Sequence, residues 1–265
     1  MRITKRSQGS LEYWSSRWST VEVDAPMTNE SAYPLKFALH ALNSDTVTIL
    51  EAGCGNGRIL RRLQEDGYNV IGFDYVTEAM VRVKQVDGSL ALLAADTRQL
   101  PFRSKSFDLV LAFGLFHSLE VGTNDALLEC SRVLCDGGQL VASFREDNLH
   151  NRIVDWTRSK KDEQQHNLQF HKYNVTMREA RNLLHVAGFV VERQERATNM
   201  PLAFRFRIFR SERSKVFNES ESRNFGYQLN TIGKSVNWIL THFLPTFAFS
   251  TLVITCRKGG RIGQL

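Results

Sequence analysis

From Val47 onward, short apolar runs alternate with longer amphipathic stretches. Val47-Thr-Ile-Leu50 is a compact apolar run that closes on Glu51 and a glycine-rich turn, which predicts a strand buried on both faces. Arg58 to Asp66 places Ile59, Leu60 and Leu63 at helical spacing, with Gly67 as the stop. The same reading predicts strands at Asn69 to Asp74, Leu90 to Ala94, Phe107 to Phe113 and Gln139 to Phe144. Helices fall between them at Thr77 to Gln85 and Asn124 to Leu134, the latter stopped by Asp136-Gly-Gly138. Thr176-Met-Arg-Glu179 has the form of a capping box and starts a helix ending near Gly188. Phe189 to Ala197 and Ser250 to Arg257 supply two more strands. Strand–helix alternation at this spacing predicts an α/β fold, a doubly wound sheet with helices on both faces.

Three segments stand outside that frame. The first is an N-terminal cap over residues 1–45, with Tyr13-Trp-Ser-Ser-Arg17-Trp18 and a helix expected after Pro34. The others are insertions at about 145–174 and 198–249 within a main domain spanning 46–265. The second insertion contains Phe204-Arg-Phe-Arg-Ile-Phe-Arg210 and an amphipathic stretch in which Leu229, Ile232, Val236, Ile239 and Phe243 share one face. Val236 to Thr255 is long enough to span a bilayer, but it carries Asn237, Thr241, His242, Pro245 and Thr246. The expectation is therefore a helix, a turn and a strand, with no transmembrane segment.

Composition narrows the class. Charged residues make up 23% of the 265, the globular average, which argues against general disorder. The net charge of +6 favours anionic partners without choosing among them. Cys54, Cys130, Cys135 and Cys256 form no CxxC pair and no zinc-ligand spacing, so no metal is expected. The polar N-terminus has no apolar signal-peptide core. Free thiols and no leader lead us to expect a cytoplasmic protein, with peripheral membrane contact through the second insertion as an open alternative.

The chemistry gathers at strand ends. Glu51-Ala-Gly53-Cys54-Gly55-Asn-Gly57-Arg58 is a turn from strand to helix whose glycines let a ligand approach the backbone. A dinucleotide site would need glycine at position 58, and a phosphate-binding loop would need Gly-Lys-Ser/Thr; neither is present. Asp74 and Asp96 end the next two strands, where ligands of doubly wound sheets bind. A carboxylate at Asp74 can accept ribose hydroxyls, and one at Asp96 an adenine amine.

These pieces, in order LEAGCGNGR (50–58), GFDYVTEAM (72–80), AADTRQLPF (94–102), SFDLVLAFGLFHSL (106–119) and RVLCDGGQLVASF (132–144), resemble class I S-adenosylmethionine-dependent methyltransferases. The likeness is greatest to small-molecule enzymes of the ubiquinone/menaquinone type. It covers roughly Val47 to Phe144, and more weakly Tyr173 to Ala197. It implies a Rossmann-like sheet of seven mostly parallel strands with an antiparallel last strand, and S-adenosylmethionine as cofactor. By the same resemblance Glu51, Gly53, Cys54, Gly55 and Gly57 would surround the cofactor's methionine part. Asp74 would hold the ribose, Tyr75 would flank the adenine, Asp96 with Thr97 would meet its edge, and Phe113 would lie near the sulfonium. Trp14 and Arg17 would close over the cofactor. Glu51 stands where aspartate is commoner, and Val76 where serine is usual.

Because the methyl is already activated, a base is needed only for an acceptor that loses a proton; His117, just past the fourth strand, is the candidate. The expected acceptor is a small or lipid-like molecule. The alternatives are RNA, suggested by Arg205, Arg207 and Arg210 among phenylalanines, and a catalytically silent cofactor-binding partner protein. The sequence does not set the oligomeric state.

Overall fold

The computed structural model describes residues 1–259 except 22, 24, 25, 163–166, 199 and 216–226. In chain order the elements are β1 (Arg2–Arg6), α1 (Ser10–Thr20), α2 (Leu35–Ala41), β2 (Thr48–Ala52), α3 (Arg58–Glu65), β3 (Asn69–Asp74), α4 (Thr77–Val86), β4 (Ala91–Ala94) and β5 (Phe107–Ala112). They continue with α5 (Thr123–Val133), β6 (Leu134–Arg145), α6 (Leu149–Asp162), β7 (Gln169–Asn174), α7 (Met177–Val186), β8 (Phe189–Ala197), α8 (Glu212–Lys215), α9 (Thr231–Phe243), α10 (Pro245–Ala248) and β9 (Thr251–Lys258).

Seven strands form one sheet in the order β4-β3-β2-β5-β6-β9-β8. Strands β2 to β6 run parallel, and β9 enters antiparallel between β6 and β8. This is the Rossmann-like methyltransferase architecture. The continuous apolar runs follow from helices on both faces. Ile49 and Leu50, consecutive on β2, are both fully buried but belong to different cores. Leu50 packs with Val110, Phe144 and the Ala126–Leu127–Cys130 side of α5. Ile49 packs with Leu109, Val141 and the Ile59, Leu60 and Leu63 stripe of α3. The order of strand addition reverses at β2, which pairs with β3 on one side and β5 on the other. A crevice opens at the carboxyl ends of strands flanking such a switch point.

The outlying segments build against this frame. Leu35, Phe37, Ala38 and Ala41 of α2 are buried in the same core as α3, so the end of the N-terminal segment is part of the main packing. β1 pairs antiparallel with β7, joining the N-terminus to the first insertion in a second, two-stranded sheet. Neither strand is evident in the sequence pattern. Thr176 and Glu179 form the expected capping box on α7. In the second insertion Ala203, Phe204 and Leu229 form a small separate core, and Asn230 caps α9 by accepting from Gly233 N at 2.8 Å.

The apolar face of the second insertion is not hidden as a unit. Leu229 precedes α9 and is buried, and Val236 is half-buried, but Ile232, Ile239 and Phe243 are 63%, 49% and 68% exposed. The inward side is fixed instead by Gly233, where a β-carbon would come within 2.4 Å of Phe209 O. This close approach turns the Ile232–Ile239–Phe243 stripe outward. Among the described residues no helix is long and apolar enough to cross a membrane.

Candidate functional site

The turn from β2 to α3 uses three left-handed residues, Gly53, Gly55 and Gly57, with φ of 70°, 53° and 66°. A side chain at such positions is strained. At Gly55 it would also collide, because a β-carbon there would lie 2.6 Å from Trp18 Cζ2. Phe73 O accepts from the N–H groups of both Gly53 and Cys54, at 2.8 and 2.9 Å, which ties the turn to β3. Gly57, preceding α3, offers no side-chain cap. Glu51 supplies the missing acceptor: its Oε2 takes the Leu60 N–H at 2.8 Å. Burial pushes the Glu51 carboxyl up to about 8, so it is mostly neutral at pH 7.

Asp74, at the end of β3, holds the turn from the other side. Its Oδ2 accepts from Gly55 N at 2.9 Å and its Oδ1 from Val76 N at 3.0 Å. Burial raises its pKa, partly offset by these backbone donors. Asp96, after β4, lies in a different environment. It is half-exposed and paired with Arg98 at 2.6 Å, and that hydrogen bond holds its carboxyl below the usual range. Beside it, Thr97 Oγ1 is buried without a hydrogen-bond partner among the described residues.

These groups open onto one cavity of about 730 Å³. Of the residues picked from sequence, Glu51, Gly53, Cys54, Asp74, Tyr75, Asp96, Thr97, Phe113, Trp14 and Arg17 line it. Gly55 and Gly57 do not: Trp18 covers the first and the second opens α3. The Cys54 thiol faces Met80 Sδ at 3.8 Å, and burial pushes its pKa well up, which leaves it an inert packing group.

His117 is placed elsewhere. It lies in a 3-10 turn, Phe116–Ser118, and is not among the cavity-lining residues. Its imidazole is buried, with Nδ1 unpartnered among the described residues. Burial first, then the nearby charges of Lys172 and Arg145, hold its pKa well below the ordinary value. Of the other histidines, His150 bonds to Phe247 O at 2.8 Å and His171 packs edge-on to Tyr13. His166 lies outside the described residues.

The sequence did not mark Trp18, Met27, Tyr33, Pro201, Tyr227 and Gln228 as site residues, yet all six line the cavity. Trp14 and Trp18 stack at 5.4 Å and pack with Val76 and Met80, which seats α1 against α4. Tyr33 is held by a hydrogen bond between its hydroxyl and Ser143 Oγ at 2.8 Å, and Ser143 Oγ accepts from Gly114 N at 2.8 Å. The Tyr33 ring meets Phe113 edge-on at 5.9 Å. Trp18 closes the Tyr-Trp…Arg cluster of the N-terminal segment, but nothing in the local pattern places Tyr33 or Tyr227.

The donors present suit a nucleoside with a charged amino-acid tail. Of the left-handed glycines, Gly53 brings bare backbone to the cavity wall. Asp74 keeps acceptor capacity, since each of its oxygens has a second lone pair. Thr97 offers a buried hydroxyl in need of a partner. Among the described residues no group of three or more His, Cys, Asp or Glu could hold a metal.

Comparison with known proteins agrees with this geometry. Residues 50–142 match the family model of a methyltransferase domain. Over 125 residues the chain is 30% identical to the malonyl-[acyl-carrier protein] O-methyltransferase of Erwinia billingiae, covering 46% of this chain and 48% of the relative. Over 120 residues it is 30% identical to the probable tRNA methyltransferase 9B of Homo sapiens, covering 42% and 26%. The chain thus spans less than half the length of either relative. A SAM-dependent methyltransferase from Methanosarcina mazei superposes with a TM-score of 0.58 over 86% of this chain and 98% of that one, at 17% identity, a likeness of fold. Residues 50–142 therefore resemble this methyltransferase domain family, and the match together with the fold implies S-adenosylmethionine as the cofactor.

Proposed function

We propose that the protein transfers the methyl group of S-adenosylmethionine to a hydroxyl or carbon of a small or lipid-like acceptor. The observation that supports this best is the continuity of the cavity. It is lined both by the strand-end groups Gly53, Asp74, Asp96 and Thr97 and by the apolar and aromatic groups Met27, Tyr33, Pro34, Leu115 and Pro201. Its volume falls in the range of small-ligand sites. In this reading Asp74, Asp96 and Thr97 hold the nucleoside, and Trp14, Arg17 and Trp18 close over the amino-acid part. The cofactor, when bound, supplies an already electrophilic methyl, so the protein's contribution is alignment and exclusion of water. Tyr33 is suited to alignment. The Ser143–Gly114 chain fixes its ring at the cavity wall, and burial pushes its phenol up to about 12, which keeps the proton on. His117 has no role as a base in this reading.

Placement of the arginine run favours a small acceptor over RNA. Arg210 lies over the Phe204 ring at 4.5 Å and donates to Phe204 O at 2.7 Å, and Arg205 is half-buried. Arg207 alone of the three is exposed, so the run is not an open phosphate-binding strip. The test is transfer of labelled methyl from the cofactor to a total lipid and metabolite extract and, in parallel, to bulk tRNA. Label in the organic or small-molecule fraction is expected. Label in tRNA alone would transfer the assignment to RNA, and tight cofactor binding without label in either would indicate a silent partner protein.

A further inference from the structure

The second insertion carries a surface that the methyl-transfer reading does not use. α9 is 13 residues long, about 20 Å, and contains no acidic residue. One stripe of it, Ile232, Ile239 and Phe243, is exposed, and Leu244 continues it past the helix end at 47% exposure. Trp238, 55% exposed, lies about 100° around the helix and stacks on His242 at 4.5 Å. Next to the inward side of α9 is a 3-10 turn, Arg207–Phe209, whose Ile208 is 70% exposed and whose neighbour Phe206 is 58% exposed. The nearby exposed charges, Arg207 and Lys234, are cations. The exposed acid of the described insertion, Glu212, is already paired with Lys215.

We propose that α9 and the Phe206–Ile208 turn dock on an anionic bilayer surface, with the aromatic and aliphatic side chains entering the headgroup boundary and Arg207 and Lys234 meeting acidic headgroups. Two features favour a bilayer over a second copy of the chain. The stripe is about 20 Å long and no wider than one helix, on the order of a few hundred Å², well short of the roughly 800 Å² per partner that a stable dimer buries. Apart from the Glu212–Lys215 pair, the exposed charges of the described insertion are cations, which opposes self-association and complements an acidic membrane. Its position also fits delivery of a lipid-like acceptor. Pro201, Tyr227 and Gln228, from the same insertion, line the cavity. α9 packs on α10, which is tied to α6 by the His150–Phe247 hydrogen bond, so the docking helix is anchored to the main domain.

The experiment is flotation of the full chain with vesicles of phosphatidylcholine and phosphatidylserine, against phosphatidylcholine alone, with thermal melting and cofactor affinity measured alongside. Wild type is expected to float with the anionic vesicles and to release at high salt. Substitution Ile239→Asn with Phe243→Ser should lower partitioning by at least roughly tenfold. Substitution Arg207→Glu with Lys234→Glu should do the same on anionic vesicles. In each case the melting curve and cofactor affinity should stay unchanged, since these side chains are exposed and outside the cavity. Failure of wild type to float, equal flotation of the Ile239→Asn/Phe243→Ser variant, or a light-scattering mass of a dimer that this variant returns to monomer would overturn the proposal. None of these readouts depends on methyl transfer, so the docking surface stands or falls apart from the acceptor assignment.

Discussion

Two groups of residues that line the cavity are built in opposite ways. The group around Gly53, Asp74 and Asp96 comes from consecutive βα turns within residues 50–98, and its carboxylates Glu51 and Asp74 are held by backbone N–H groups of the same and adjacent turns. The second group assembles Met27, Tyr33, Phe113, Pro201 and Tyr227 from segments far apart in the chain, held by side-chain packing and single hydrogen bonds such as Tyr33–Ser143. A site made of local turns is rigid and recurs wherever the motif recurs. A site made of distant segments can change its lining without disturbing the sheet. The first group lies within the stretch that matches the methyltransferase domain family, whereas Met27, Tyr33, Pro201 and Tyr227 lie outside it.

The contrast is broken most severely at Gly55. Gly55→Val places a branched side chain at φ 53° and against Trp18. Cofactor affinity measured by calorimetry should fall by more than about a hundredfold, from left-handed strain together with loss of the Trp18 seat. A near-normal affinity would mean that the turn and α1 move independently of the ligand. Asp74→Ala comes next. It removes the proposed ribose acceptor and frees the Gly55 and Val76 N–H groups, so a loss of about tenfold to a hundredfold is expected. An unchanged dissociation constant would remove Asp74 from the ribose site.

Glu51 sharpens the comparison through pH. Its folded pKa, about 8, lies above the unfolded value near 4.5, so the folded state holds the proton more tightly. The stability this contributes is complete below pH 4.5 and is lost as pH rises through 8, a change on the order of a few kcal/mol. Glu51→Gln keeps an acceptor for Leu60 N and cannot ionise. Its melting temperature should exceed that of wild type at pH 9 and approach it at pH 5. Parallel melting-versus-pH curves for the two proteins would show that Glu51 is ionised in the fold.

His117→Ala should have the smallest effect on catalysis. The side chain lies outside the cavity lining, so turnover should stay within about threefold of wild type from pH 6 to 9, although the cavity left behind costs stability. A loss beyond tenfold that also removes an inflection from the pH–rate profile would restore His117 as the general base.

What the sequence determined by itself is the frame. Buried apolar runs from Val47 to Phe144, with glycine stops, specify a doubly wound sheet, because each strand must be covered on both faces and each turn needs its own φ. The order in which Glu51, Asp74 and Asp96 end successive strands put them on one side of that sheet, and the cavity contains all three. The pattern did not show which way a residue just beyond a strand faces. His117, three residues after Gly114, turns away in a 3-10 turn, whereas Phe113 enters the cavity. Nor could it pair β1 with β7, which lie more than 160 residues apart. Only the tertiary structure decided the outward face of α9. A helical stripe of apolar residues states that something is to be covered, but the side that packs is chosen by the closest approach available, here Gly233 against Phe209 O. Local propensity acts over a turn or a strand, whereas the choice of partner depends on contacts that exist only after the chain has folded.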